Sequence, residues 1–196
     1  MKLVLATGSK RRHELINMIG LKYEVVKSTV EEHSDATEPT QYVMDLSRDK
    51  ANSSASQLTE KAVVLAADTV MYMNGKIFEK PKSKEEAANN LRVMSENVVY
   101  MTTGMTIKDL YQDKELVFSD ITELHFGKIS EDDIEWYINN EKELLNCAGA
   151  VIQGKAAMFL DKVVGDYGNV LGISLNKIHS KFAELGYKMS DFELND

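Results

Sequence analysis

The sequence holds one cysteine, two prolines and one tryptophan in 196 residues, and it has no apolar run long enough to cross a bilayer. With Cys147 alone, no internal disulfide is available and nothing points to an oxidising compartment. His13, His33, His125 and His179 are scattered without the spacing of zinc ligands. A basic excess is missing too. Lysine and arginine number 23 against 31 acidic residues, for a formal net charge of -8. No stripe of cations interleaved with aromatics stands out, which argues against a nucleic-acid partner. The opening Met1–Ala6 is too short for a signal peptide and runs at once into Lys10-Arg11-Arg12. The expectation is a cytoplasmic protein with neither membrane nor nucleic acid as partner.

Helical and strand patterns interleave along the chain. Leu3–Ala6 reads as a buried strand, Thr7-Gly8-Ser9 as a tight turn, and Leu15, Ile16, Met18 and Ile19 as the apolar face of a helix stopped by Gly20. Ser9 is the expected N-cap of that helix. Tyr23–Val26 is a second strand, 29–40 an acidic loop, and 40–54 a helix. Ala62–Val70 is apolar until Asp68, the pattern of a central strand, and Asn74-Gly75 predicts a hairpin back through Lys76–Phe78. Ser83 and Glu86 form a capping box for a helix to about Ser95. Two long strands, Val98–Lys108 and Leu116–Phe126, turn near Asp109–Lys114, and Ser130 with Asp133 begins another helix. A loop with one or two strands is expected over 148–164, a turn-rich loop over 165–172, and a final helix over 175–185. The class is α/β with a mixed sheet.

Several groups suit phosphate and metal chemistry. In Ser9-Lys10-Arg11-Arg12, three cations crowd a helix N-terminus, where the dipole disfavours them. Exposed N–H groups, a hydroxyl and two guanidiniums there suit an anion, although a solvated basic turn would look the same. Asp68 interrupts an apolar run. It reads either as a carboxylate at a strand end, where α/β proteins place metal ligands and bases, or as the point where the strand reaches water. The Glu31-Glu32 pair is ordinary loop surface unless it adds a second carboxylate for magnesium, which takes oxygen ligands. Lys50 and Lys80 are ordinary lysines on composition alone. Gln153 offers both a donor and an acceptor to a nucleobase edge. Together, cations, carboxylates and a neutral amide fit a nucleotide site.

Short stretches across the chain resemble, in order, those of the Maf family of the inosine-triphosphatase-like superfamily. They are Leu3 through Arg12, Val30-Glu31-Glu32, Leu46 through Ala51, Ala67-Asp68-Thr69, Glu79-Lys80-Pro81, Thr103-Gly104, Cys147-Ala148-Gly149, Ile152-Gln153-Gly154 and Gly165 through Gly172. The resemblance implies a single Maf-like domain over 1–196, an elongated twisted mixed sheet with flanking helices, and two lobes around a central cleft. It implies hydrolysis of a nucleoside triphosphate between its α- and β-phosphates, with magnesium or manganese as cofactor. By position, Ser9, Arg11, Arg12, Lys50 and Lys80 match the polar and basic residues of the cleft, Glu32 the loop carboxylate, and Asp68 the general base, which is also a metal ligand with Glu32. Arg11, Thr69 and Gln153 resemble the subgroup acting on dTTP and UTP. Asn97-Val98-Val99 and the Cys147 stretch look more like the subgroup acting on 7-methyl-GTP. A nucleotide-binding regulator of cell division is the alternative outside catalysis, and a homodimer is left open. Lys10 stands where the family usually has proline, Glu96 where it has glycine, and Ser174 where it has proline.

Overall fold

A computed structural model describes residues 1–78, 80–147 and 150–192. Glu79, Ala148 and Gly149, from two of the matching stretches, lie outside the described residues, as do 193–196. In chain order the elements are β1 (Leu3–Leu5), α1 (Lys10–Met18), β2 (Glu24–Val25), α2 (Pro39–Ala55), β3 (Val63–Met73), β4 (Lys76–Phe78), α3 (Lys84–Met94), β5 (Val98–Asp109), β6 (Lys114–Phe126), α4 (Glu131–Asn140), β7 (Leu160–Val164), α5 (Tyr167–Val170) and α6 (Leu175–Glu184). The strands form one mixed seven-stranded sheet in the order β2-β1-β3-β5-β6-β7, with β4 paired to β3. The mixed α/β class read from the sequence is the one observed.

The chain divides into two compact units. The first takes Met1–Thr69, Thr103–Asp120 and the segment beginning at Leu171; the second takes Val70–Thr102 and Ile121–Val170.

In the first unit, β1 pairs in parallel with β2 on one side and with β3 on the other, Leu3 opposite Val63 and Leu5 opposite Leu65. Side chains alternate between the two faces of a strand. Val4, Ala6, Ala62, Val64 and Ala66 pack with Ala51 of α2. Leu3, Leu5, Val63, Leu65 and Ala67 pack with Leu15 and Ile16 of α1 and with Ile178 and Phe182 of α6. Helices therefore cover both faces, which is why these strands read as unbroken apolar runs.

Helix α2 lies along β5 at unusually close range. A Cβ on Gly104 would fall inside the backbone of Val43 and Met44. Further along, Ser47 Oγ is 2.9 Å from Thr106 Oγ1, and Lys108 Nζ donates to Asn52 Oδ1 at 2.6 Å. From Val43 to Asn52 the helix advances about 13.5 Å, and from Gly104 to Lys108 the strand advances about 13 Å. The two rises match, so three successive contacts stay in register.

The second unit is built around Met71, Phe78, Leu91, Met94, Val99, Leu124, Phe126, Ile134, Tyr137, Ile152 and Phe159. Tyr137 is wholly buried, and its hydroxyl accepts from Val151 N–H at 2.8 Å. The Asn74-Gly75 hairpin is as expected: both residues have positive φ, 51° and 75°, and Met73 faces Lys76. Ser83 Oγ accepts from Glu86 N–H at 3.2 Å, while Glu86 reaches back to Lys82 N–H at 2.8 Å. Ser130 Oγ accepts from Asp133 N–H at 3.1 Å, and α4 presents the single tryptophan, Trp136, 45% exposed.

Two departures from the sequence reading, and one from the family pattern, have physical causes. Strand β3 does not stop at Val70 but runs on to Met73. From Val70 on its burial alternates, as expected for a strand with one covered face, and β4 pairs with its last residues. Asp68 is therefore mid-strand, not at a strand end. The 165–172 segment contains the short helix α5 over Tyr167–Val170, and Asn169 within it is buried and donates to Met101 C=O and Thr122 Oγ1, both at 3.0 Å. Glu96 sits at φ 59°, the left-handed region, so the backbone there asks for the glycine that the family pattern usually supplies. Ser174, in another of the substituted positions, caps α6 by accepting from Lys177 N–H.

Gly104→Ala should destabilise the protein by about 1–3 kcal/mol or more, the usual cost of overpacking. At roughly 2–4 °C per kcal/mol for a chain of this size, a calorimetric Tm several degrees lower is expected. An unchanged Tm would mean that α2 does not rest on β5 at this point.

Candidate active site

Asp68 follows Ala62, Val64 and Ala66 on the face of β3 that packs under α2. Lys50 lies two helical turns beyond Val43, the residue that touches Gly104. The close seating of α2 thus carries Lys50 onto Asp68. Lys50 Nζ donates to Asp68 Oδ1 at 2.5 Å, and both side chains are only 12% exposed. Glu32, 59% exposed on the acidic loop, brings Oε1 to 3.0 Å from the same ammonium. One buried cation therefore serves two carboxylates. Taking charges this far out of water is costly, and removal of one partner would strand the other at a cost of about 3–5 kcal/mol.

Thr69, the next residue, faces the other side of β3. There Arg12 makes three hydrogen bonds: Nε to Gly172 C=O at 3.0 Å, Nη1 to Thr7 Oγ1 at 3.3 Å, and Nη2 to Thr69 Oγ1 at 3.0 Å. Thr69 Oγ1 is also 2.9 Å from Thr103 Oγ1 on β5. Gly172 has φ 106°, and a Cβ there would sit 3.0 Å from Arg12 Nε, so the guanidinium needs that glycine twice over. Every one of these acceptors is neutral. Burial lowers the Arg12 pKa below its ordinary value, while Asp68 and Glu32 pull it back up without reaching ion-pair distance. A cation held this way has fixed geometry and no carboxylate at hydrogen-bond distance, which suits an anion arriving from outside.

The remaining expected residues are placed as follows. Ser9 stands at the N-cap of α1, but its side chain makes no capping bond; Ser9 N–H instead donates to Thr7 Oγ1 at 3.1 Å. The first turn of α1 holds no acidic residue. Arg11 is half-buried and makes no hydrogen bond or ion pair among the described residues. Lys80 and Gln153 belong to the second unit, and both are exposed. The structure thus brings Asp68, Lys50 and Glu32 together, and joins Arg12 to Thr69.

Three participants had no role in the sequence reading. Thr7 anchors both Ser9 and Arg12; its place in a Thr-Gly-Ser turn is the signal that was there to use. Thr103 extends the hydroxyl pair. Lys27 lays its side chain over the turn, with Cε 3.2 Å from where a Gly8 Cβ would be.

Among the described residues no group of three or more His, Cys, Asp or Glu side chains is arranged to hold a metal ion. Asp68 and Glu32, sharing one cation already, still fit an ion such as magnesium that takes one or two carboxylates and completes its shell from waters and substrate phosphates. Elsewhere, an open groove between α3 and α4 is crossed by Arg92, whose Nε and Nη2 bind Glu131 at 2.8 and 2.7 Å; it holds none of the expected site residues. No helix among the described residues is long and apolar enough to cross a membrane.

Known proteins resemble this chain over nearly all its length. A dTTP/UTP pyrophosphatase of Thermoanaerobacter sp. (strain X514) is 38% identical over 178 residues, 91% of this chain and 93% of its own. A dTTP/UTP pyrophosphatase of Carboxydothermus hydrogenoformans is 36% identical over 188 residues, 95% of this chain and all (100%) of its own. A nucleoside triphosphate pyrophosphatase of Cyanothece sp. is 37% identical over 193 residues, 97% and 98% of the two chains. Among solved structures, a HAM1 protein from Coxiella burnetii superposes more loosely, with a TM-score of 0.43 and 14% identity over 66% of this chain and 74% of that one. The family described as Maf-like protein matches residues 2–185. That span takes in β1, the Asp68 strand and the last helix alike, and the chain belongs to the Maf family.

Proposed function

We propose that the chain is a nucleoside triphosphate pyrophosphatase, acting on dTTP or UTP to release the nucleoside monophosphate and pyrophosphate. The observation that carries this reading is the Asp68 carboxylate, buried in mid-strand and held by Lys50 at one oxygen only. With Oδ1 occupied by a cation, which in the free protein is the ammonium, Oδ2 is left to receive a proton. In the proposed step a water gives that proton to Asp68 as its oxygen bonds to the α-phosphorus. The bond to the bridging oxygen breaks, and pyrophosphate leaves with the electron pair.

The free Arg11 guanidinium, the Ser9 hydroxyl and the uncapped N–H groups of α1 suit phosphate oxygens. Arg12 adds its charge and fixes Thr69. Magnesium or manganese held by Asp68, Glu32 and the phosphates would supply charge neutralisation and a more acidic water. Lys80 as a phosphate ligand and Gln153 as the reader of the base are supported by the family pattern. The preference for dTTP and UTP is supported by the names of the relatives and by Arg11, Thr69 and Gln153. Substrates of this class, and a lone buried cysteine, fit a cytoplasmic setting.

With magnesium or manganese present, dTTP should yield dTMP and pyrophosphate on ion-exchange chromatography. Nucleoside diphosphate with orthophosphate would mean cleavage of the wrong bond, and no turnover of any triphosphate would leave a binder rather than an enzyme.

Asp68→Asn should lower kcat by about a hundredfold to ten-thousandfold, the usual contribution of a general base. Binding of the nucleotide should persist in part, since the cations remain. A wild-type kcat in a folded variant would remove Asp68 from the chemistry.

Gln153→Glu exchanges an amide that can donate to a pyrimidine carbonyl for a carboxylate that can only accept. The mismatch should cost about 1–3 kcal/mol, or roughly tenfold to a hundredfold in kcat/KM for dTTP and UTP. The loss should be smaller for 7-methyl-GTP. If the ratio between substrates does not move, Gln153 does not read the base.

A further inference from the structure

The arrangement around Lys50 bears on how a divalent cation reaches the carboxylates. Asp68 Oδ1 and Glu32 Oε1 lie 2.5 and 3.0 Å from one ammonium that is itself only 12% exposed. One oxygen of each carboxylate is thus already occupied by a cation belonging to the chain, which cancels one of the pair's two negative charges. Arg12 adds positive potential from nearby, since both carboxylates act on it electrostatically. The carboxylates also have no third acidic, histidine or cysteine partner among the described residues. A free dication approaching this pair is repelled by the ammonium beside both ligands, must displace it to use Asp68 Oδ1 and Glu32 Oε1, and gains only two protein ligands in return.

We infer that Lys50 acts as a resident counter-ion that keeps the carboxylate pair closed to free divalent cations, so that the metal enters only together with a triphosphate, whose oxygens both complete its ligand shell and accept Lys50. The inference rests on the proposed metal-dependent pyrophosphatase reading and adds an order of binding to it. The energetic logic is one of exchange. With nucleotide absent, displacing Lys50 would leave its charge buried without a partner, at the cost that any stranded charge incurs. With triphosphate present, the released ammonium finds phosphate oxygens of equal or greater charge, and the exchange becomes favourable. Lys50 is therefore a positioning residue toward the metal as well as a ligand of the substrate.

The test is binding of Mn2+ alone, with no nucleotide, followed by the loss of its electron paramagnetic resonance signal. Wild-type protein should bind Mn2+ weakly. Lys50→Met, although inactive, should bind it at least about tenfold more tightly, because a unit charge within hydrogen-bond distance of the ligands has been removed. Lys50→Gln, which can still donate to Asp68, provides a second variant if Lys50→Met does not fold; circular dichroism checks both. A measurement on the wild type stands independently of either variant. Acetic anhydride labelling of Lys50, read by mass spectrometry against exposed Lys61, should be slow in free protein and stay slow when Mn2+ is added without nucleotide. Equal Mn2+ affinity in wild type and folded variant, or Lys50 labelling accelerated by Mn2+ alone, would overturn the inference. Either result could occur while wild-type protein still converts dTTP to dTMP and pyrophosphate, so the exchange can fail without the enzymatic reading failing. Conversely, wrong products with a tenfold gain in the variant would sink the reading and leave the ion exchange intact.

Discussion

The absence of a side chain at Gly104 is the constraint on which the acid–base cluster depends. It allows the backbone of α2 to rest on β5, and the Ser47–Thr106 and Asn52–Lys108 contacts hold the helix in register from there. Lys50 has no freedom to choose its partner once that register is set. It comes down beside Asp68, and the two buried charges meet at hydrogen-bond distance. Such a pair is a poor source of stability, because desolvation consumes most of the Coulombic gain. Its presence at the centre of a strand is better understood as a functional expense, met by the packing of α2 against the apolar rows on either side.

Strand β3 separates two kinds of cation with two adjacent residues. On the Asp68 face, Lys50 is matched by full negative charge. On the Thr69 face, Arg12 is matched only by a carbonyl and hydroxyls. The first arrangement is electrically closed and the second is electrically open. In the proposed reaction the two cations have different tasks: Lys50 governs what the carboxylates do, whereas Arg12 supplies a fixed positive field.

Most elements were legible in the sequence because each carried its own local signal. Asn74-Gly75 specified a hairpin, Ser83 with Glu86 a helix start, and the Leu3–Ala6 and Ala62–Ala67 runs a pair of doubly covered strands. Asp68 is out of place in an apolar run, but the end of that run is not the end of the strand. A carboxylate paired by a lysine from a distant helix can sit within a strand, and nothing adjacent in sequence announces that partner. Lys50 was accordingly visible only through the family resemblance, since an isolated lysine on a helix has no distinguishing pattern. Gly104 and Thr7 were present in the matching stretches without a role, because close approach and a shared hydroxyl are properties of the fold. Glu96 shows the reverse case: the departure from glycine was plain in the sequence, and only the positive φ explains why glycine is usual there.

The position of Trp136 has a spectroscopic consequence. It is the chain's only indole, and it lies on α4 in the second unit, nearly half exposed. Its emission therefore watches the surface and packing of that unit, while the Lys50–Asp68 cluster and the Arg12 network belong to the first unit and have no indole of their own. An unfolding curve followed by tryptophan fluorescence records the loss of one hydrophobic core, whereas a calorimetric curve records both. Where the two curves coincide, the cores melt as one cooperative unit; where they separate, the optical midpoint describes the half of the molecule that does not carry the carboxylates.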